Sequence, residues 1–279
     1  MPRLALGTVQ FGLAYGVSGM THPVDPAETR KILEFARISG IDRLDTAPAY
    51  GDIEERLNDL VADLDFSIVS KLPSCASVSE LERSFEQSCA RLKPKLDGML
   101  FHDPANLRGS EGARIWERAL KLAEDRSLSL GSSYYDPSAL VSDIGRLPSL
   151  KMAQLPANAF DQRLAETREL PDGIEITIRS AFLQGLLLLD QRRATHRLPQ
   201  ASVALTKWHR WCSNQRLSPI IAAFSIVKGL EPDFVVVGVD SLSQLQELVD
   251  AWNNAKPMVV PELAVSDQHV FDPRLWPSV

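Results

Sequence analysis

The order of apolar and amphipathic segments predicts a single-domain (β/α)8 barrel over residues 1–279. Three observations carry that prediction. Short apolar runs alternate with amphipathic helical patterns along the whole chain, at a repeat of about 35 residues. Eight such runs occur, and strand–helix alternation pairs strands in parallel through right-handed crossovers. No G-x-G-x-x-G follows the first run and no P-loop occurs, so the nucleotide signature of the rival doubly wound sheet is missing.

Each element has a local reason. Residues 4–6 form a first brief strand. Asp25-Pro26-Ala27-Glu28 announces a helix, with Asp25 as N-cap, Pro26 in the first position and Glu28 closing a capping box. Ile32, Phe35 and Ala36 give that helix an apolar face, and Gly40 ends it. Residues 41–44 are the second strand. A helix over residues 54–64 turns Leu57, Leu60, Val61 and Leu64 inward, and residues 66–69 are the third strand. Ser77 and Glu80 cap the next helix, whose Val78, Leu81, Phe85 and Leu92 recur at steps of three and four. Residues 98–101 form strand four, and residues 114–125 a helix with Ile115, Ala119 and Leu122 on one stripe. Strands at 128–130 and 152–155 flank a helix around 138–144. A short polar helix over 162–170 leads to strand seven at 174–178. A polar loop carrying Arg192, Arg193 and Arg197 precedes two helices broken near Ser218-Pro219. Phe234–Val237 is the eighth strand, and residues 241–252 the last helix.

Composition narrows the function. Hydrophobic residues make up 44% and charged residues 24%, enough for a sizeable core in a soluble chain. The net charge is −6 with no basic block, which argues against a nucleic-acid or anionic-membrane surface. The longest apolar stretch, 182–189, is interrupted by Gln184 and too short to span a bilayer. Met1-Pro2-Arg3-Leu4 opens no apolar signal region, so a cytoplasmic location is expected. Cys75, Cys89 and Cys212 are too scattered for a disulfide framework, and Cys89 shares an apolar helix face with Phe85 and Leu92. His22, His102, His196, His209 and His269 form no metal-binding pair, and His209 is expected at the surface; no metal is expected.

Polar residues at strand ends carry the chemistry, because a barrel places its sites at the carboxyl ends of its strands. Asp45 follows strand two, Lys71 strand three and His102 strand four, while Tyr50 lies in the loop after Asp45. Four groups able to handle protons would share one rim. A free phenol, with a pKa near 10, is a poor acid at neutral pH, and a nearby ammonium favours its phenolate. Lys71 could be that cation, Asp45 could keep it charged, and His102 could hydrogen-bond a substrate oxygen. No side chain here can reduce a carbonyl, so such a set needs an external hydride source.

These residues resemble the aldo-keto reductase superfamily. The likeness starts at Leu6-Gly7-Thr8-Val9-Gln10-Phe11-Gly12 and runs through Asp45-Thr46-Ala47-Pro48-Ala49-Tyr50-Gly51, Ser70-Lys71 and Leu100-Phe101-His102-Asp103-Pro104. Gly131-Ser132-Ser133, Gln154 with Asn158, Arg179 through Leu186, and Val237-Gly238 with Ser241 continue it in order. It implies a (β/α)8 barrel, a nicotinamide cofactor (NADP(H) or NAD(H)) and an Asp-Tyr-Lys-His tetrad, here Asp45, Tyr50, Lys71 and His102. It implies reduction of a small carbonyl substrate (an aldehyde, ketone or sugar-like compound) to an alcohol, or the reverse, by hydride transfer with Tyr50 as general acid. It also implies cofactor contacts from Gly7, Thr8, Ser133, Gln154, Arg179, Ser180, Phe182, Leu183, Gly185, Gly238, Asp240, Ser241 and Gln244.

The chain departs from the family pattern at several of these positions. Tyr134 stands where an Asn usually helps Ser133 and Gln154 hold the carboxamide. Arg179 takes the place of an aromatic that stacks on the nicotinamide, and Val9 that of an aromatic, which implies a more open pocket. Asp240 and Gln244 stand where cations often bind the 2′-phosphate, although backbone amides at that helix start could still receive it. Leu248 replaces an Asn that reads adenine. Alternatives are a nucleotide-binding barrel with little turnover, acting as a sensor or partner subunit, and an isomerase or lyase using Lys71 as a Schiff base. The tail after Asn254 could lean over the barrel mouth or wrap the outer helices.

Overall fold

In the computed structural model, which describes residues 1–16, 21–167 and 173–276, every predicted apolar run becomes a strand. These are β1 Arg3–Gly7, β2 Arg43–Asp45, β3 Ser67–Leu72, β4 Leu96–Phe101, β5 Ser129–Ser133, β6 Met152–Pro156, β7 Glu175–Arg179 and β8 Phe234–Val237. All are parallel, in chain order, and β8 closes the barrel on β1 with Val235 opposite Leu4. The helices are α1 Val9–Gly12, α2 Pro26–Ile38, α3 Ile53–Leu60, α4 Val78–Leu92, α5 Gly109–Glu124, α6 Pro137–Ile144, α7 Gln191–Arg197, α8 Ser202–Gln215, α9 Pro219–Lys228, α10 Leu242–Asn254 and α11 Gln268–Phe271. The chain is thus one (β/α)8 barrel.

The main core lies between the strands and the helix ring, where Leu33, Leu57, Phe85, Trp116, Leu140 and Leu245 bury the apolar faces read from the sequence. Inside the barrel, Val69, Leu100 and Met152 form a smaller cluster. Below them, Arg43 of β2 reaches Asp97 at 2.9 Å and Glu175 of β7 at 2.6 Å. Strands β2 and β7 are not neighbours, so this guanidinium spans the amino-terminal floor. The opposite end is left for a cavity.

Several boundaries differ from expectation. Helix α3 stops at Leu60 rather than residue 64: Arg30 claims the Leu60 carbonyl at 2.9 Å, and the Leu64 amide turns to the Val61 carbonyl at 3.0 Å. Helix α5 begins at Gly109, ahead of the apolar stripe, through a Gly-Ser-Glu-Gly segment with weak helical preference. The Arg-rich loop is helical as α7, capped by Asp190, which accepts from the Arg193 amide at 3.0 Å. The expected polar helix after β6 is only a 3-10 turn, Arg163–Glu166, and residues 168–170 of that expectation lie outside the described residues. Glu28 does not close a box on its own helix. Asp25 caps α2 through the Ala27 amide at 2.8 Å, while the Glu28 carboxylate reaches away to α10.

Candidate active site

A cavity of about 700 Å³ opens at the carboxyl ends of the strands. Asp45 ends β2, Lys71 is the penultimate residue of β3, and His102 follows β4 directly, so the barrel closure aims all three at one point. Tyr50 is brought to them by the loop after β2. That loop is pressed against α1: a Cβ added to Gly12 would lie 1.8 Å from the Tyr50 carbonyl oxygen. Gly12→Ala is therefore expected to lower stability by about 1–3 kcal/mol, an overpacking cost, and to displace Tyr50. Urea denaturation that leaves the midpoint unchanged would show that the loop yields freely.

The buried Lys71 ammonium donates to Asp45 Oδ1 at 2.5 Å and to the Thr46 carbonyl at 3.1 Å, and sits 5.3 Å from the centre of the Tyr50 ring. Burial pushes its pKa down, but Asp45 and the Tyr50 phenol outweigh burial and hold it above the ordinary lysine value. Asp45 Oδ2 accepts from Gln154 Nε2 at 2.7 Å, and Gln154 Oε1 accepts from Ser133 Oγ at 3.2 Å. One hydrogen-bonded chain thus crosses the cavity floor from β3 to β5. Thr8 pins the ends of β1 and β2 together, donating to Thr46 Oγ1 at 2.8 Å. His102 is half-buried, and desolvation, then Lys71 and Arg179, push its pKa down. That lowering favours the neutral imidazole, which can donate one hydrogen bond.

The rim has two further parts. The loop after β7 turns sharply, with φ of +63° at Ser180, +51° at Leu183, +55° at Gln184 and +96° at Gly185. Gln184 from this loop reaches the Tyr15 hydroxyl across the mouth at 3.4 Å. Arg179 lies 4.4 Å from the centre of the Tyr135 ring, and Arg274 of the tail lies 3.5 Å from the same ring. The tail therefore buttresses the mouth while also packing on α8, where Lys207 donates to the Glu262 carbonyl. At the β8 end, the Asp240 amide donates to Gln244 Oε1 at 2.8 Å and the Gln244 amide to Ser241 Oγ at 3.3 Å. The Leu242 amide donates to Glu28 Oε1 at 2.8 Å, and that bond holds the Glu28 carboxyl below the usual carboxylate range.

Of the residues singled out in the sequence, Asp45, Tyr50, Lys71, His102, Gly7, Thr8, Ser133, Gln154, Arg179, Ser180, Phe182, Gly185, Gly238, Asp240 and Gln244 all line this cavity. Leu183 and Ser241 do not. Leu183 is core behind the β7 loop, and Ser241 serves as the cap of α10. Tyr134 is fully buried and does not line the cavity, so only its backbone takes part, accepting from Arg179 at 3.1 Å. His209, expected at the surface, is half-buried, with a lowered pKa caused by burial. Sequence reasoning missed Glu28, Tyr15 and the pair Tyr135–Arg274. Only long-range packing joins these to the site, and no local spacing signals it. Among the described residues, no cluster of three or more His, Cys, Asp or Glu side chains could hold a metal ion, and no helix is long and apolar enough to cross a membrane.

The same barrel occurs in solved structures. The holo form of an aldo-keto reductase from Bacillus halodurans superposes with a TM-score of 0.71 at 18% identity, covering 96% of this chain and 90% of that one. A protein from Pseudomonas aeruginosa assigned to the aldo-keto reductases gives 0.66 at 22% identity, covering 90% and 89%. No curated protein matches the chain. The model of the aldo/keto reductase family matches residues 3–263, nearly the whole barrel. With the ends of β2, β3 and β4 carrying the residues that first suggested it, the chain belongs to the aldo/keto reductase family.

Proposed function

We propose that this chain is a nicotinamide-dependent carbonyl reductase, reducing an aldehyde or ketone to an alcohol or running the reverse. The observation that carries the reading is the buried Lys71–Asp45 ion pair beside Tyr50, facing His102 across one end of the cavity. The residues suit a nicotinamide nucleotide. Ser133 and Gln154 present a hydroxyl and an amide, the donors and acceptors that a carboxamide needs. A Cβ on Gly238 would lie 2.4 Å from the Gln10 side chain, so this glycine lets Gln10 pack against the end of β8, where Gln10 Oε1 is buried without a partner. The nucleotide, when bound, supplies or takes up the hydride.

In this reading His102 donates to the carbonyl oxygen and fixes its approach, and Tyr50 delivers the proton to that oxygen as the carbon is reduced. Lys71 stabilises the phenolate left behind, and Asp45 keeps Lys71 charged and in place. A lysine held protonated by a carboxylate at 2.5 Å is a poor nucleophile, which argues against a Schiff-base mechanism. The β8 end supports NADH at least as well as NADPH. Asp240 and Glu247 line it, and the amide of Leu242, a donor suited to a phosphate, already serves Glu28. The test has two parts: a fluorescence titration with each reduced nucleotide, and nucleotide oxidation with a panel of aldehydes. Binding with aldehyde-dependent oxidation is expected. Binding without turnover would favour the sensor, and no binding would remove the reading.

A further inference from the structure

The charge of the cavity is divided between its ends. Asp240 and Glu247 make the β8 end negative. At the carbonyl end, the Lys71 charge is cancelled by Asp45 at 2.5 Å, which leaves the Arg179 guanidinium. Its neighbours are spent on their own carboxylates: Arg163 pairs with Asp161 at 2.8 Å and Arg274 with Asp272 at 2.5 Å. Among the described residues, no carboxylate lies within 4.0 Å of Arg179. The side chain is nonetheless held in place. One N–H donates to the Tyr134 carbonyl at 3.1 Å, another lies 3.5 Å from Ser180 Oγ, and the Tyr135 ring supports its plane. Three of the five donors of the fork stay free.

A half-buried cation with no carboxylate in contact, sharing only the more distant Asp272 with Arg274, is costly, and one that is immobilised and faces a substrate cavity has its ordering entropy already settled. A guanidinium matches a carboxylate in plane and spacing and binds it through two parallel hydrogen bonds. One free cation balances a singly charged carboxylate better than a doubly charged phosphate. The position also explains why an aromatic is dispensable here: an anion beside Arg179 would screen its charge from a nicotinamide ring that turns cationic on oxidation.

We propose that Arg179 forms a carboxylate subsite, and that the preferred substrates are carbonyl compounds bearing a carboxylate a few bonds from the reacting carbon. The proposal rests on the carbonyl-reductase reading above. The depressed pKa of His102, caused by burial and then by Lys71 and Arg179, agrees with a positive potential at this end.

The test compares succinic semialdehyde with butanal, which differ only in a terminal carboxylate against a methyl group. In the parent, kcat/KM is expected to favour the acid by about tenfold or more. In Arg179→Met the ratio of the two should fall toward one through a higher KM for the acid, and Arg179→Lys should recover part of it. Reading the ratio makes any general loss of rate in the variants irrelevant. A parent ratio near one, or a ratio unchanged in Arg179→Met, would overturn the subsite. A variant that loses nucleotide affinity but keeps the ratio would assign Arg179 to the nucleotide instead. If neither aldehyde turns over, calorimetric titration with succinate decides: binding lost in Arg179→Met supports the subsite, and equal or absent binding in the parent overturns it. Arg179→Gln replaces Met if circular dichroism shows that the Met variant has not folded. Failure of the reductase reading is seen separately, as absent binding of the reduced nucleotides.

Discussion

Replacing Tyr50 by Phe is expected to lower turnover by at least about 100-fold while leaving the fold and nucleotide binding intact, since general-acid catalysis contributes about 10²–10⁴-fold. Only the hydroxyl is removed. The ring stays packed against the core, and the Gly12 contact that positions the loop is to its backbone. Lys71→Met should be inactive for a related reason, because the phenolate formed as the proton leaves would have no cation beside it. That variant also strips Asp45 of its ion pair, leaving a buried carboxylate with Gln154 as a neutral partner. Its stability must therefore be measured beside its rate. Near-parental turnover in Tyr50→Phe would remove Tyr50 from the mechanism. A pH–rate profile of Lys71→Met that overlays the parent's would contradict the role given to Lys71.

The barrel was legible because each strand is short, apolar and followed by its own helix, so that period and caps are local quantities. Ser77 caps its helix as its position before an apolar run implied, accepting from the amide three residues on, and Ser218 and Ser241 do the same for α9 and α10. The catalytic end was legible for a related reason. Asp45, Lys71 and His102 each lie within a residue of the carboxyl end of three successive strands, and barrel closure turns that sequential regularity into spatial convergence. What stayed hidden depends on residues that are far apart in the chain. Glu28 satisfies every local criterion for capping its own helix, yet α2 lies against α10, and the Leu242 amide, without an intrahelical partner at the helix start, wins the carboxylate. Arg274 reaches Tyr135 over 139 residues of sequence, a contact that no periodicity encodes. The end of α3 differs from expectation because Arg30, a side chain of another helix, takes the Leu60 carbonyl.

Glu28 also bears on nucleotide choice, where the second large effect is expected. The parent should discriminate NADPH from NADH weakly, or favour NADH. A 2′-phosphate at the start of α10 would meet Asp240 and the Glu28 carboxylate, and the amides of residues 240, 242 and 244 are already donating to Gln244, Glu28 and Ser241. Cations elsewhere offer little relief. Lys31, the cation beside Glu28, is paired to that carboxylate at 3.5 Å, Lys228 is committed to the Trp252 and Ala255 carbonyls at 2.7 and 3.1 Å, and Arg193 pairs with Asp190 at 3.5 Å. Gln244→Arg should raise the affinity ratio of NADPH to NADH by about ten- to 150-fold, the equivalent of one charge-assisted contact of about 1.5–3 kcal/mol. Glu28→Gln should move the ratio the same way by a smaller factor, because it removes a repulsive charge but can keep the cap through its amide oxygen. The measurement is a fluorescence titration with each reduced nucleotide at fixed ionic strength, since salt weakens phosphate recognition. Raising the salt should shrink the gain in Gln244→Arg and leave NADH binding to the parent less affected. A parent that prefers NADPH by about 1,000-fold, roughly 4 kcal/mol, would overturn this account of the β8 end, because that preference requires a phosphate ligand stronger than any group now facing it.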